Sequence, residues 1–303
     1  MKSRIRKMLM GDTVFSEYSK ITVSGEIREY VYLVIDGSRI EVSGHHWILC
    51  IEPIVFGVWV TKDKLPPPQA RGIGCYLYFS EEADLTLKLV DQIVEGEGTL
   101  FLLELQKSSL HQFHFIKTWL LYYRYYRRGG LSFQRFKSFV AAYSYPRRVR
   151  LISYRQQEYF NIFPMDLLGD IAGSQRYVFG LRHTNTSLPR ILETGKLVVS
   201  EVSHVHEKII YQLGKHHSGS PPSLEELPFE VRLSKNFDFY VPSLVESYKE
   251  VRIVRSLNLG SHMLLWGEVL EEQVLTAPAG HLFLVHFLHF LYQKDRAPYT
   301  GLI

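Results

Sequence analysis

A chain of 303 residues is long enough for two domains of ordinary size, and 46% hydrophobic with 14% aromatic content excludes a disordered polymer. Only Cys50 and Cys75 are present, which excludes a disulfide framework and fits a reducing, cytoplasmic setting, although one pairing stays open. The net charge of +4 hides an asymmetry: Leu105 to Gln157 holds no Asp or Glu but eleven Lys or Arg, so the remainder nets −7.

The opening MKSRIRKMLMGD carries no apolar run long enough for a signal peptide, and no stretch reaches the ~20 apolar residues of a membrane span. Residues 18–62 alternate β-branched and aromatic runs with Gly, Pro and Asp36-Gly37, which predicts strands and a hairpin. Lys64 to Arg71, with three prolines in a row, reads as a linker, and GIGCYLYF as a further strand. Ala83 to Val94 sets Leu85, Leu89 and Ile93 at helical spacing, with Ser80 as its cap. TLFLLELQ is a strand. Ser109 to Arg128 reads as a long helix, apolar at Phe113, Ile116, Leu120 and Tyr123, and stopped by Gly129-Gly130. Ser132 to Tyr143 is a second helix, closed by Tyr145-Pro146. That break divides an amino-terminal α+β region, 1–145, from a second region, 146–303.

In the second region VRLISYR, RYVFGL, KLVVSEV, FEVRLS, KEVRIVRSLN and HMLLWGEVLEEQVL read as strands. FNIFPMDLLGD reads as an irregular connection, His204 to Leu213 as a helix, Lys215 to Pro228 as a polar loop, and His281 to Tyr292 as a buried terminal element. No internal repeat is visible, and the first region does not superpose on the second by pattern.

The strand Tyr177–Leu181 runs into the corner LRHTNTS, which opens a helical turn at Leu188, Ile191 and Leu192. Two readings stay open there. Thr186 or Ser187 caps the first turn, or the free N–H groups and Arg182 receive an anion.

Four pieces in order resemble the flavin reductase-like, FMN-binding split β-barrel family, over roughly residues 147–272. They are Phe160-Asn161 with Pro164; the Leu-Arg strand end with its Thr/Ser cluster and SLPRILETGKLVV; KIIYQLGKHHSG with its proline-bearing loop; and GSHMLLWGEV. The resemblance implies an α+β, mainly β chain with a carboxy-terminal antiparallel split barrel. It implies FMN or FAD as cofactor, NAD(P)H as co-substrate, and a homodimer. It places Asn161, Ile162, Phe163, Pro164 and Met165 along the isoalloxazine and ribityl chain, Arg182, Thr184, Thr186 and Ser187 on the phosphate, and His262 in the catalytic position beside the nicotinamide. Two departures stand out. Asp166 occupies the place of a small hydroxyl residue and would repel phosphate, and Ser261 replaces the usual Asp before His262.

The alternative is a non-catalytic barrel whose basic 105–157 stretch binds an anionic partner such as nucleic acid; WLLYYRYYRR interleaves aromatics with arginines as single-strand binders do. The bland counterpart is a basic face balanced by acids elsewhere in the fold. Gly72-Ile73-Gly74 lacks a third glycine, and the paired histidines offer at most two ligands each, too few for a metal.

Overall fold

The computed structural model describes residues 18–23, 27, 30–35, 37–65, 75–79, 83–112, 114–126, 130–171, 173–214, 221–293 and 299–301. The chain is α+β and mainly β, and every ladder is antiparallel.

Seven strands of the carboxy-terminal half form one sheet: β10 (Arg150–Gln156), β11 (Tyr159–Met165), β12 (Leu168–Ile171), β13 (Arg176–Arg182), β14 (Lys196–Val202), β17 (Val245–Asn258) and β18 (His262–Val274). Their spatial order is β11-β10-β14-β17-β18-β13-β12, and between β14 and β17 the chain adds a separate ribbon of β15 (Val231–Leu233) and β16 (Tyr240–Pro242). The two edge strands, β11 and β12, are consecutive in the chain and joined only by Asp166 and Leu167. In a flat sheet those edges would lie about 29 Å apart, six strand spacings. Three Cα steps reach at most about 11 Å. The sheet must therefore roll until its edges nearly meet, leaving a gap between β11 and β12. It is a split β-barrel.

The amino-terminal half contributes β2 (Val31–Ile35), β3 (Ser38–Glu41), β4 (His46–Ile51), β5 (Ile54–Thr61), β6 (Cys75–Phe79), β7 (Ala83–Glu95) and β8 (Gly98–Leu110), in the order β3-β2-β6-β7-β8-β5-β4. Counted along the chain, both sheets run second, first, fifth, sixth, seventh, fourth, third. The likeness extends to detail. Thirteen residues separate β5 from β6 (62–74) and thirteen separate β13 from β14 (183–195). Two β-bulges interrupt β7–β8, at Thr86/Leu87 and Leu89/Asp91; two interrupt β17–β18 at the same spacing, at Glu250/Val251 and Ile253/Arg255. The expectation of no internal repeat is therefore corrected. The repeat lives in pairing order and bulge positions, which side-chain pattern does not record.

The same bulges explain a second correction. Ala83 to Val94 is a strand, not a helix. Leu85, Leu89 and Ile93 stand four residues apart, but the bulges reset the two-residue alternation, so Leu85, Leu87 and Ile93 are buried while Leu89 is exposed. The expected irregular connection is also strand, β11 and β12. Pro164 is tolerated because β11 is an edge, where its missing N–H breaks no ladder. Helix α1 (Phe115–Tyr125) begins six residues later than expected, because Ser109 and Leu110 stay in β8. Its apolar residues Ile116, Leu120 and Tyr123 are exposed rather than buried. Helix α2 (Phe133–Ala142) matches its expected span, with the Ser132 hydroxyl accepting from Arg135 N–H. Ser80, Gln69, Phe113 and Arg127–Gly129, which entered the expected cap, linker and helix, lie outside the described residues.

Strand β1 (Tyr18–Val23) does not join the amino-terminal sheet. It lies between β19 (Phe283–His286) and β20 (Tyr299–Gly301), and β19 in turn pairs with β9 (Arg147–Arg148). Between the two large sheets, Leu49, Trp59, Ile93 and Leu100 pack on Ile171, Val178, Leu264 and Trp266, with the Trp59 and Trp266 rings 6.2 Å apart. The approach is close enough to require glycine. A Cβ on Gly180 would stand 2.6 and 2.8 Å from the carbonyl carbon and Cα of Leu49, and closer still to its oxygen.

Candidate functional site

The open mouth of the carboxy-terminal barrel is where strand ends converge. Phe163, Pro164 and Met165 end β11, Asp166 and Leu167 turn the corner, Gly180–Arg182 end β13, and His262 begins β18. They enclose a cavity of about 430 Å3, within the range of small-molecule sites. The wall is completed from elsewhere: Ile51 of β4, Tyr18 of β1, and Tyr143 and Arg147 from the segment joining the halves. Arg182 and His262 are direct partners across the β13–β18 ladder.

Five of the predicted residues, Phe163, Pro164, Met165, Arg182 and His262, thus line one cavity. Asn161, Ile162, Thr184, Thr186 and Ser187 are not in its lining. Asn161 and Ser187 are fully buried behind it, where Asn161 Nδ2 donates to Ser187 Oγ at 3.2 Å. The Tyr159 hydroxyl bonds Thr186 Oγ1 at 3.0 Å and Ser187 Oγ at 3.1 Å. These hydroxyls lock the corner between β13 and helix α3 (Leu188–Thr194). The expected side-chain cap is also absent: Ser187 makes none, and Asn185 Oδ1 instead accepts from Ser187 N–H at 2.8 Å. Arg182 and Thr184 remain exposed, and Arg182 has no carboxylate within ion-pair distance among the described residues. Asn161 Oδ1 and Asn185 Nδ2 are buried with no hydrogen-bond partner among the described residues.

The two departures resolve through neighbours. Asp166 forms an ion pair with Arg147 Nη1 at 3.1 Å, and the Arg147 guanidinium lies 3.6 Å from the Tyr143 ring centroid. The carboxylate is thereby neutralised on the cavity wall. Burial pushes the Tyr143 hydroxyl up to about 12, so it stays protonated. Ser261 Oγ accepts from Glu52 N–H at 3.0 Å and lies 2.8 Å from His262 Nδ1. The Ile51 N–H, which can only donate, approaches the same nitrogen at 3.5 Å, so the Ser261 O–H also meets an acceptor there. Nδ1 is the acceptor, and the imidazole proton sits on Nε2. Serine here does the orienting work of the missing carboxylate. Strand β4 belongs to the amino-terminal sheet, so both halves hold this ring.

Five of the eleven cations of the basic stripe are engaged with other parts of the fold. Arg147 pairs with Asp166, Arg148 with Glu201, Arg150 with Glu201 and Asp170, and Arg135 with Glu52; each acid lies outside residues 105–157. Arg155 donates to the Asp238 carbonyl and stacks on Tyr240. Sequence reasoning missed Arg147 as a site residue, although it was visible in the stripe. Ile51 and Tyr18 gave no signal, since other sheets deliver them.

Several solved structures are similar to this chain. The NADH:FAD oxidoreductase SgcE6 of Streptomyces globisporus C-1027 is 16% identical with a TM-score of 0.45, over 49% of this chain and 88% of that one. Nitrilotriacetate monooxygenase component B from Mycobacterium thermoresistibile is 13% identical with a TM-score of 0.44, over 55% and 85%. The FMN-binding protein from Thermus thermophilus is 14% identical with a TM-score of 0.38, over 43% and 73%. No protein-family model and no curated protein matches. The barrel assignment follows from strand order alone.

Proposed function

We propose that the cavity binds a flavin, FMN in the first instance, and that the protein is a flavin reductase-like oxidoreductase using NAD(P)H. One observation carries this reading. An apolar wall (Phe163–Met165), an exposed and uncompensated guanidinium (Arg182) and an oriented imidazole (His262) converge on one cavity of suitable size. A flavin's phosphate needs a cation, and its flat ring needs an apolar slot. Thr184, two residues after Arg182, is the predicted hydroxyl left without another side-chain partner among the described residues. Bound flavin would supply the hydride-accepting chemistry.

The chain's own residues then have separate tasks. Arg182 anchors the anionic end by charge-assisted hydrogen bonds. Phe163, Pro164, Met165 and Leu181 exclude water from one face. Arg147 keeps Asp166 from repelling the ligand. His262 holds its proton on Nε2 at the cavity wall, oriented by Ser261. The division into a catalytic 146–303 region and an accessory 1–145 region belongs to the same proposal, as does a cytoplasmic location.

The test is the visible spectrum of the purified protein, followed by titration with FMN and FAD and by NADH and NADPH oxidation with excess flavin. A yellow protein, or saturable quenching of added flavin, is expected. A colourless protein that takes up neither flavin would refute the proposal.

A further inference from the structure

We propose that the amino-terminal half is a second split barrel fused in tandem to the first, and that it acts as a built-in dimer partner. The chain then carries one functional cavity, walled by both copies. The identity of the ligand rests on the flavin reading; the internal partnership does not.

Shared strand order alone could be coincidence, but the contact between the halves has two-fold character. Counting along matched ladders, Trp47 is the counterpart of Gly169: Trp47 pairs with Gly57 as Gly169 pairs with Val178. Asp91 is the counterpart of Arg255, each being the residue just past the second bulge. Both counterpart pairs touch. The Trp47 indole occupies the space above Gly169, and Arg255 Nη2 lies 3.8 Å from Asp91 Oδ2. In a two-fold interface, residues at the axis meet their own copies. Elsewhere the interface uses corresponding strands, β4, β5, β7 and β8 from one half and β12, β13 and β18 from the other. That is an isologous interface, drawn within one chain.

The two mouths have diverged. At the places of Arg182 and His262, the amino-terminal copy has Thr61 and Gly98. The last position is closed as well as changed. A side chain on Gly98 would meet the Trp59 ring at 2.7 Å, so no imidazole fits. Of those two places, neither holds a cation or a histidine in the amino-terminal copy. What that copy supplies is the wall of the other site. Ser261 N–H donates to the Glu52 carbonyl at 2.8 Å, Glu52 N–H donates back to Ser261 Oγ, and Ile51 lines the cavity.

The experiment is mass by light scattering on the full chain, with flavin titration on the same samples. It is repeated on Trp119→Glu, which charges the exposed apolar face of α1, an apolar surface open to self-association. We expect a 35.3 kDa monomer that binds one flavin. Should the native chain self-associate, the Trp119→Glu monomer is expected to bind flavin with unchanged affinity. Flavin binding lost on dissociation to the monomer, or two flavins per chain, would overturn the proposal. If no form binds flavin, the flavin reading fails alone and mass decides: a monomer supports the internal partner, and a dimer that persists in Trp119→Glu overturns it.

Discussion

Replacing Gly180 with alanine loads a point where strands of the two sheets touch backbone to backbone. The new Cβ would lie 2.6 Å from the Leu49 carbonyl carbon and 2.8 Å from its Cα, with no flexible side chain to turn aside. Overpacking of a core typically costs about 1–3 kcal/mol, and a backbone obstacle belongs at the upper end. With roughly 2 °C per kcal/mol for a chain above 200 residues, the melting temperature should fall by about 6 °C. The change should also reach the site, because β4 must retreat and it carries Ile51 and the Glu52 contacts to Ser261. Flavin affinity and stability should therefore fall together. Gly96→Ala is the control, since nothing lies within 4 Å of a Cβ there and its φ is not in the left-handed region. Calorimetry and flavin titration on the two variants settle the matter. If Gly180→Ala melts and binds like Gly96→Ala, the close packing of β4 on β13 is refuted, and with it the shared wall.

Arg182→Ala should weaken flavin binding by about 1.5–3 kcal/mol, the range of a hydrogen bond to a charged group, without changing the melting temperature; an unchanged Kd removes Arg182 from the phosphate. Ser261→Ala should lower kcat while sparing flavin affinity, since only His262 loses its orienting partner, and Ser261→Thr should restore turnover; equal loss in both variants would point to packing instead. Acid should unfold the protein earlier than carboxylate titration alone requires. Burial lowers His46 from 6.5 to about 4 and His286 from 6.5 to about 3. The unfolded chain therefore binds these protons at a pH where the folded chain does not. Stability is complete above pH 6.5 and is lost as pH falls toward the folded values, by about 2–3 kcal/mol per histidine at pH 4.5. Urea midpoints that stay level between pH 7 and 4.5 in a His46→Phe, His286→Phe background, but fall in the native protein, are the expected result; parallel falls would refute it.

Apart from β11 and β12, the carboxy-terminal strands and helix α2 were plain in the sequence, as β-branched and aromatic runs or a helical face set between turn residues. Leu151, Ser153, Val178 and Gly180 needed only a strand pattern to be placed. It misled at β7, where two bulges shift Leu89 and Val90 off the buried face and leave Leu85, Leu89 and Ile93 at helical intervals. It also misled at the corner LRHTNTS. Composition offers the same hydroxyls for capping, for anion binding or for locking one strand to another, and only tertiary contact with Tyr159 and Asn161 selects the third use for Thr186 and Ser187. Arg182 could be found at a strand end beside a hydroxyl-rich turn, and His262 through the resemblance carried by GSHMLLWGEV. Ile51, Tyr18 and the Glu52 backbone could not, since their part in the site depends on which sheet docks against which.

The duplicated topology also gives a reason for the acid-free stretch. Residues 105–157 run from the end of the first barrel, through α1 and α2, into β9 and β10 of the second. Their arginines are anchored by acids on either side: Glu52 in the first copy, and Asp166, Asp170 and Glu201 in the second. Arg150 is buried between Glu201 and Asp170, a pairing that offsets the cost of removing its charge from water. Two barrels held as separate chains would need no such connector. A connector whose cations reach both copies fixes their relative placement, and so holds Ile51 against the cavity. Breaking one of these pairs should therefore be felt at the site. Arg135→Ala frees Glu52, whose backbone holds Ser261, while Glu52 itself is exposed and free to be solvated. The expected outcome is a small loss of stability, under about 1 kcal/mol for an exposed pair, with a larger fractional loss of turnover. An effect on melting alone, with turnover unchanged, would show that the connector carries no information to the cavity.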